Sequence, residues 1–314
     1  MIAGTPNSNI QQARLVELIK HLAPNEGYTQ SILDDVTLMR SNRSLEITPA
    51  LYEPSIVIVV QGRKRGFHGG KVYVYDANHY LVLSIPLPFI VETEASETEP
   101  MLGVALRIDQ AAIAEIAVAL DDENAQLDEP PVSLYASPIK PKLADVVLRL
   151  LEALAVPEEA KLLGPMIIRE IFYRVLKGEQ GAQLRASLQF GGHYGRIAQV
   201  LRFIHSNYAS SLTVAMLADM AHMSVPAFHV HFKEVSQTSP NQYIKAIRLH
   251  NARLLMIRHG VNAVTAADTV GYQSASQFSR EFKRLFGYTP KEEVRRLKKV
   301  LALTAQYDCS TTPS

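Results

Sequence analysis

Between residues 196 and 300 the apolar positions recur with helical spacing, and the pattern occurs twice. Phe228, Phe232 and Val235 fall at i, i+4 and i+7, and Phe278, Phe282 and Leu285 repeat the stripe fifty residues later. The alignment runs along SVPAFHVHFKEV (224–235) and SASQFSREFKRL (274–285), and continues to Ser239-Pro240 and Thr289-Pro290. A short apolar helix is expected before each copy, at 214–221 and 264–270, with Gly271 at the second turn. These upstream helices align at 49 rather than 50 residues, so the second turn is one residue longer. Ala218 and Ala267 fall where two helices must approach closely. Ser274 with Gln277, Ser239-Pro240 with Gln242, and Thr289-Pro290 with Glu292 read as helix N-terminal caps. A solenoid needs three or more copies to bury its faces. Two copies predict a tandem pair of helix-turn-helix units, the alternative being a plain bundle that shares a phenylalanine stripe.

Upstream, the period changes from helical to alternating. Residues 51–108 read as a β-rich module: SIVIVVQG is an apolar strand, FHGGKVYVYD a hairpin turning at Gly69-Gly70, and GVALRID a closing strand. Pro86 and Pro88 mark the stretch between as an edge or a bulge. A small barrel or sandwich follows. Helical stripes return at Leu143, Val146, Val147, Leu150, Leu151 and Leu154, then at Leu162, Leu163, Ile167, Ile171, Phe172 and Val175. Gly164-Pro165 places the start of that second helix at Pro165. The two stripes either close the β core or form a dimer interface. GEQGAQLRASLQFGGHYG (178–195) reads as a flexible hinge.

Composition changes the picture only when divided. The 314 residues carry a formal net charge of +1, but residues 196–300 hold 15 Lys and Arg against 6 Asp and Glu, a net of +9. Residues 1–195 hold 17 against 24, a net of −7. The basic segment is the one suited to a polyanion such as double-stranded DNA. No apolar run approaches the ~18 residues of a membrane span, and the N-terminus lacks the apolar core of a secretory signal. The single Cys309, in a polar tail, excludes an intrachain disulfide and argues against a zinc cluster. A cytosolic (cytoplasmic) protein is expected.

LADMAHMSVPAFHVHFKEV, SPNQYIKAIRLHNARLLM and ADTVGYQSASQFSREFKRLFGYTP together resemble the DNA-binding segment of the AraC/XylS family of bacterial transcription regulators. LYEPSIVIVVQGRKRGFHGGKVYVYDANHYLVLSIPLPFIVETEAS resembles the cupin-like N-terminal sensor domain of one subgroup of that family. The resemblance implies an α+β chain. A β-barrel sensor and dimerisation domain would occupy 1–180, a linker 181–195, a double helix-turn-helix domain 196–300 and a polar tail 301–314. It also implies two recognition helices in successive major grooves, about 34 Å apart, a homodimer, a small-molecule effector and contact with RNA polymerase. The alternative is an effector-independent regulator whose β module serves only dimerisation.

Candidate DNA contacts are Val225, Pro226, His229, Val230 and Lys233 in the first recognition helix, and Ala275, Ser276, Ser279, Arg280 and Lys283 in the second. The family usually places arginine at the sixth position after the serine cap in both helices. Arg280 keeps it, whereas the first helix has Val230, which can meet a thymine methyl but not guanine. Arg248 and Arg253 read as internal salt-bridge partners. Candidate effector contacts are Tyr52, Gln61, Arg63, Phe67, Tyr75, Tyr80 and Phe89; alternation sets Tyr73 and Tyr75 opposite Val72 and Val74. Gln61, Arg63 and Lys64 are either polar effector contacts or a solvated turn. His68 and His79 with Glu53 and Glu92 would be the ligands of a metal-dependent cupin, but the spaced histidine pair of such sites is missing. Neither a cofactor nor catalysis is called for.

Overall fold

A computed structural model describes residues 6–120, 131–188 and 192–297. The polar tail at 301–314, with Cys309, lies outside the described residues. The chain divides into two compact units. One comprises Met1–Ile47, Tyr52–Ile85 and Val91–Gly195; the other gathers Thr48–Leu51 and Pro86–Ile90 with the chain from Arg196 onward.

The first unit begins with helix α1 (Pro6–Leu22) and strands β1 (Gly27–Gln30), β2 (Val36–Ser41), β3 (Leu45–Tyr52), β4 (Ser55–Gln61) and β5 (Arg63–His68). Strands β6 (Lys71–Asp76), β7 (His79–Leu83), β8 (Leu87–Glu94) and β9 (Met101–Arg107) follow. Helix α2 (Gln110–Ala119), strand β10 (Leu134–Pro138) and helices α3 (Pro141–Leu154), α4 (Pro157–Leu176) and α5 (Gly181–Leu188) complete it, save that residues 48–51 of β3 and 87–90 of β8 fall in the second unit. The strands lie in the order β1-β2-β9-β4-β7-β6-β5-β8-β3, with β10 on β7. They form an antiparallel half-barrel with accompanying helices. Ile56, Ile58 and Val60 of β4 share a buried core with Leu102, Val104 and Leu106 of β9 and with the stripes of α1, α3 and α4. Val57 and Val59, on the other face of β4, are buried too, which is why this strand reads as an unbroken apolar run.

Three expectations need correction. Strand β8, containing Pro88, lies between β5 and β3 rather than at an edge. Its proline stands second in the strand, where one lost donor is tolerated. Helix α4 starts at Pro157 and runs through Gly164-Pro165 instead of beginning there. Its buried side is Ala160, Gly164, Ile167, Ile168 and Ile171, and Gly164 lies so close to Leu33 that a Cβ would stand 2.5 Å from Cδ1. Packing along that side carries the helix through the proline; Leu162 and Leu163, expected in the stripe, are exposed. Finally, much of the expected hinge is helix α5, because Leu184 is buried in the core of the first unit.

The second unit is built on α6 (Gly192–Asn207), α7 (Val214–Met220), α8 (Val225–Ser236), α9 (Pro240–Arg258), α10 (Ala263–Thr269) and α11 (Ala275–Phe286), with helical residues again at 290–297. Helix α9 is buried at Tyr243, Ile244, Ile247, Leu249, His250, Ala252 and Met256. One end packs on Phe232, whose ring centre is 5.6 Å from that of Tyr243. The other joins Ala266, Ala267, Val270, Phe278, Phe282 and Phe286 in a second core.

His250 sits edge-on to Phe286 at 5.1 Å. Burial and the nearby Arg253 charge push its imidazole down to about 3. The unfolded chain therefore binds a proton between about pH 6.5 and 3 that the folded chain refuses. Stability from this group is complete above pH 6.5 and falls as pH drops, by up to about 1.4 kcal/mol per pH unit. In denaturant titrations from pH 7.5 to 4.5, wild type should lose stability more steeply than His250→Phe. Parallel pH profiles would contradict this.

Candidate nucleic-acid interface

Each recognition helix is started, seated and stopped by duplicated devices. The Ser224 hydroxyl accepts from the Ala227 N–H at the start of α8, and the Ser274 hydroxyl accepts from the Gln277 N–H at the start of α11. Thr289 and Glu292 form the reciprocal cap before 290–297: the Thr289 N–H donates to Glu292 Oε2, and the Glu292 N–H to Thr289 Oγ1. Phe228, Phe232 and Val235 are buried under α8, and Phe278, Phe282 and Phe286 under α11, with Leu285 partly buried. Both helices end on a left-handed residue, Gln237 (φ 55°) and Gly287 (φ 81°).

Seating those faces leaves the candidate contacts outward. Val225, Pro226, His229, Val230 and Lys233 are exposed on α8, and Ala275, Ser276, Arg280 and Lys283 on α11; Ser279 is half-buried. The Ser276 hydroxyl lies 2.9 Å from that of Ser274. Among the described residues Arg280 enters no ion pair, while its neighbour Glu281 is occupied: Lys245 Nζ lies at 2.8 Å and the Tyr272 hydroxyl donates at 2.7 Å. Burial raises the Glu281 carboxyl, but bonds from Lys245, Tyr272 and Gln277 prevail and hold it below the usual range. Glu234 pairs with His231, Glu292 with Thr289, and Glu293, 1% exposed, with Arg253 and Arg296. The acids of this unit are thus largely engaged internally, which leaves the cations of the helix faces to set its field.

The helices are joined by contacts that the sequence did not disclose. Arg248 donates from Nε to Tyr208 O at 2.7 Å, and its two terminal nitrogens donate to Gly271 O at 3.1 Å and Ser210 O at 2.8 Å. It is internal, as expected, but it binds carbonyls rather than an acid. Gly271 (φ 84°) packs so tightly that a Cβ would stand 2.3 Å from Ala209 O. The corresponding position of the first turn is His222, also left-handed at φ 50°. Arg253 does pair with an acid, its Nε 3.0 Å from Glu293 Oε1. The lone carboxylate on α11 was the available signal for Glu281; nothing local marked the carbonyls that Arg248 binds.

The effector candidates do not share one face. Arg63, Arg65 and Phe67 alternate with Lys64, Gly66 and His68 along β5, and Lys64 pairs with Tyr75 of β6. Arg63 is exposed, between Asp76 and Glu94. Gln61 donates to Pro100 O. Tyr80 is buried in the helix-facing core, Phe89 is buried in β8, Tyr75 is fully buried and Tyr52 half-buried. His79 bonds Asp76. Among the described residues no group of three His, Cys, Asp or Glu could hold a metal ion, and no helix is long and apolar enough to cross a membrane.

Comparison with known proteins gives a consistent result. Residues 32–183 match the family described as AraC-type transcriptional regulator N-terminus, and residues 217–296 match a helix-turn-helix domain family. The chain is 34% identical over 105 residues to the RCS-specific HTH-type transcriptional activator RclR of Escherichia coli, covering 33% of this chain and 37% of that protein. It is 23% identical over 144 residues to the HTH-type transcriptional regulator ArgR of Pseudomonas aeruginosa, covering 46% and 44%. The matched region thus spans less than half of these curated relatives. The fold resembles that of unsaturated fatty acid-bound ToxT from Vibrio cholerae, with TM-score 0.57, 14% identity, and coverage of 86% of this chain and 96% of that chain.

The exposed, unpaired Arg280 has the reach for a bidentate contact to guanine. Arg280→Ala should weaken a site selected from random duplexes by about 1–3 kcal/mol and relax base choice at one position. Lys283→Ala should instead weaken all sequences alike and lower the salt slope by about one. Titration against single-base variants of the site separates the two. Uniform weakening by Arg280→Ala would make that residue a phosphate clamp.

Proposed function

Because the chain belongs to the AraC-type transcriptional regulators, we propose that it is a sequence-specific DNA-binding regulator controlled by a small molecule taken up in the β unit. The observation that carries the reading is the paired outward face of α8 and α11. Each has a buried phenylalanine stripe and an exposed opposite side, with Lys233 on one and Arg280 and Lys283 on the other. Two such helices on one connecting helix suit successive major grooves of a single duplex. The ten contacts are those named above. Contact with RNA polymerase from a promoter-bound position is the route to activation, and the DNA partner places the protein in the cytoplasm.

The effector reading draws support from the structural neighbours. One ToxT structure holds an unsaturated fatty acid and another (E)-4-(8-methylnaphthalen-1-yl)but-3-enoic acid. Effector binding would act as a population shift between arrangements of the protein that bind DNA differently. A homodimer is proposed through α3 and α4, where Leu163 and Met166 are exposed beside Arg149, Glu152 and Glu170, and Leu162 is exposed on the same helix.

Affinity of the full chain for duplex DNA should fall steeply and linearly as log salt rises; a flat line would remove the DNA-binding reading. In sedimentation, the full chain should be dimeric and a Leu162→Glu, Met166→Glu double variant monomeric at the same concentration. A double variant that stays dimeric would place the interface elsewhere.

A further inference from the structure

The two faces of β5 treat their cations in opposite ways. On one face Arg63 lies 3.7 Å from Asp76 and 3.6 Å from Glu94, and Arg65 lies 3.1 Å from Glu92 and 2.7 Å from Glu94. On the other face Lys64, between them in sequence, is 4% exposed. Tyr75, fully buried, stands opposite it across the β5–β6 ladder. Tyr73, opposite Gly66, is the next ring along the same face. Lys64 Nζ stands 5.7 Å from the centre of the Tyr52 ring.

Burying an ammonium costs several kcal/mol unless an opposite charge and hydrogen bonds offset it. Among the described residues the groups acting on Lys64 are the phenols of Tyr52 and Tyr28, the first also hydrogen-bonded to it, with no carboxylate. Burial pulls the ammonium down, but attraction to those phenols outweighs it and the group stands above its ordinary range. Lys64 therefore stays protonated. The Tyr75 hydroxyl is enclosed beside that of Tyr52 without a well-formed hydrogen bond, and His68 Nε2, on the Lys64 face of β5, is enclosed without a partner. A buried ammonium and the Tyr75 hydroxyl thus face each other across the ladder where the fold supplies phenol oxygens but no carboxylate.

We propose that Lys64 and Tyr75 are the anchor of the effector site, and that the effector is a small organic carboxylate. Its carboxylate accepts hydrogen bonds from the Lys64 ammonium and the Tyr75 hydroxyl, and its carbon skeleton lies against the Tyr52 and Tyr73 rings. Charge-assisted bonds in a buried setting are the strong ones, so one carboxylate would satisfy both the charge and the open donor. The inference rests on the reading that the β unit takes an effector, and the test keeps the two apart.

The full chain is titrated by calorimetry and thermal shift with sodium benzoate and sodium octanoate, with the matching amides, and with sodium chloride at equal ionic strength. The carboxylates should bind and raise the melting temperature while amides and chloride do not. Lys64→Met should weaken carboxylate binding by about tenfold or more. Replacing a buried charge by an apolar side chain of similar shape is commonly tolerated, and a cooperative thermal melt of the ligand-free variant verifies that it is folded. Tyr75→Phe, which removes only the hydroxyl, should weaken binding to a smaller degree. Carboxylate binding retained by Lys64→Met overturns the site and leaves the effector reading intact. Amides binding as well as carboxylates overturns the anionic class alone. Binding of neither overturns the anchor.

Discussion

Arg248 holds three backbone carbonyls at once, and they come from two segments far apart in the chain. Tyr208 and Ser210 lie before α7, whereas Gly271 forms the turn before α11. A guanidinium presents its donors in a rigid plane, so the three bonds define where the second turn sits against the first helix-turn-helix. Gly271 is the necessary complement, since any side chain would drive into Ala209 O. The rest of the reader follows: α10 packs through Ala266 and Ala267, α11 through its phenylalanines, and Glu293 closes the far end against Arg253. Recognition helices can read two grooves only if their separation is fixed, and here one side chain, Arg248, contributes by holding backbone carbonyls of both segments.

Which charges are neutralised distinguishes the two units. In the helical unit Glu281 and Glu293 are bonded inward to Lys245, Arg253 and Arg296, while Arg280 is left to solvent. In the β unit the surface arginines of β5 are paired with Glu92 and Glu94, and the buried Lys64 faces phenols. Both arrangements present a positive charge at a surface or interior with no internal carboxylate to match it. The first suits a polyanion and the second a single small anion.

The caps and the phenylalanine stripes were legible because they are local, each depending on residues three to eight apart, and the repeat was legible because the same local pattern recurs fifty residues on. What sequence could not show was set by contacts across the fold. Pro165 looked like a helix start, but burial of Ala160, Gly164 and Ile168 carries α4 through it. Leu162 and Leu163 looked like stripe residues, yet α4 turns them to solvent. Pro88 looked like an edge marker because strand order is invisible in a single chain. Around β5, Gln61, Arg63 and Lys64 formed one polar run in sequence; the pleat separated Lys64 from its neighbours and gave it Tyr75. Arg248 was read as internal, but its partners are carbonyls, which carry no sequence signal.

The two recognition helices are unequal, Val230 standing on α8 where Arg280 stands on α11. They are also successive segments of one chain with different sequences. Such a reader has a front and a back. A duplex bound by it acquires a direction, because reversing the protein would place the arginine where the valine had been. Palindromes, which suit symmetric dimers of single helix-turn-helix units, carry no such information. A protomer of this design can therefore report which way along the chromosome it faces.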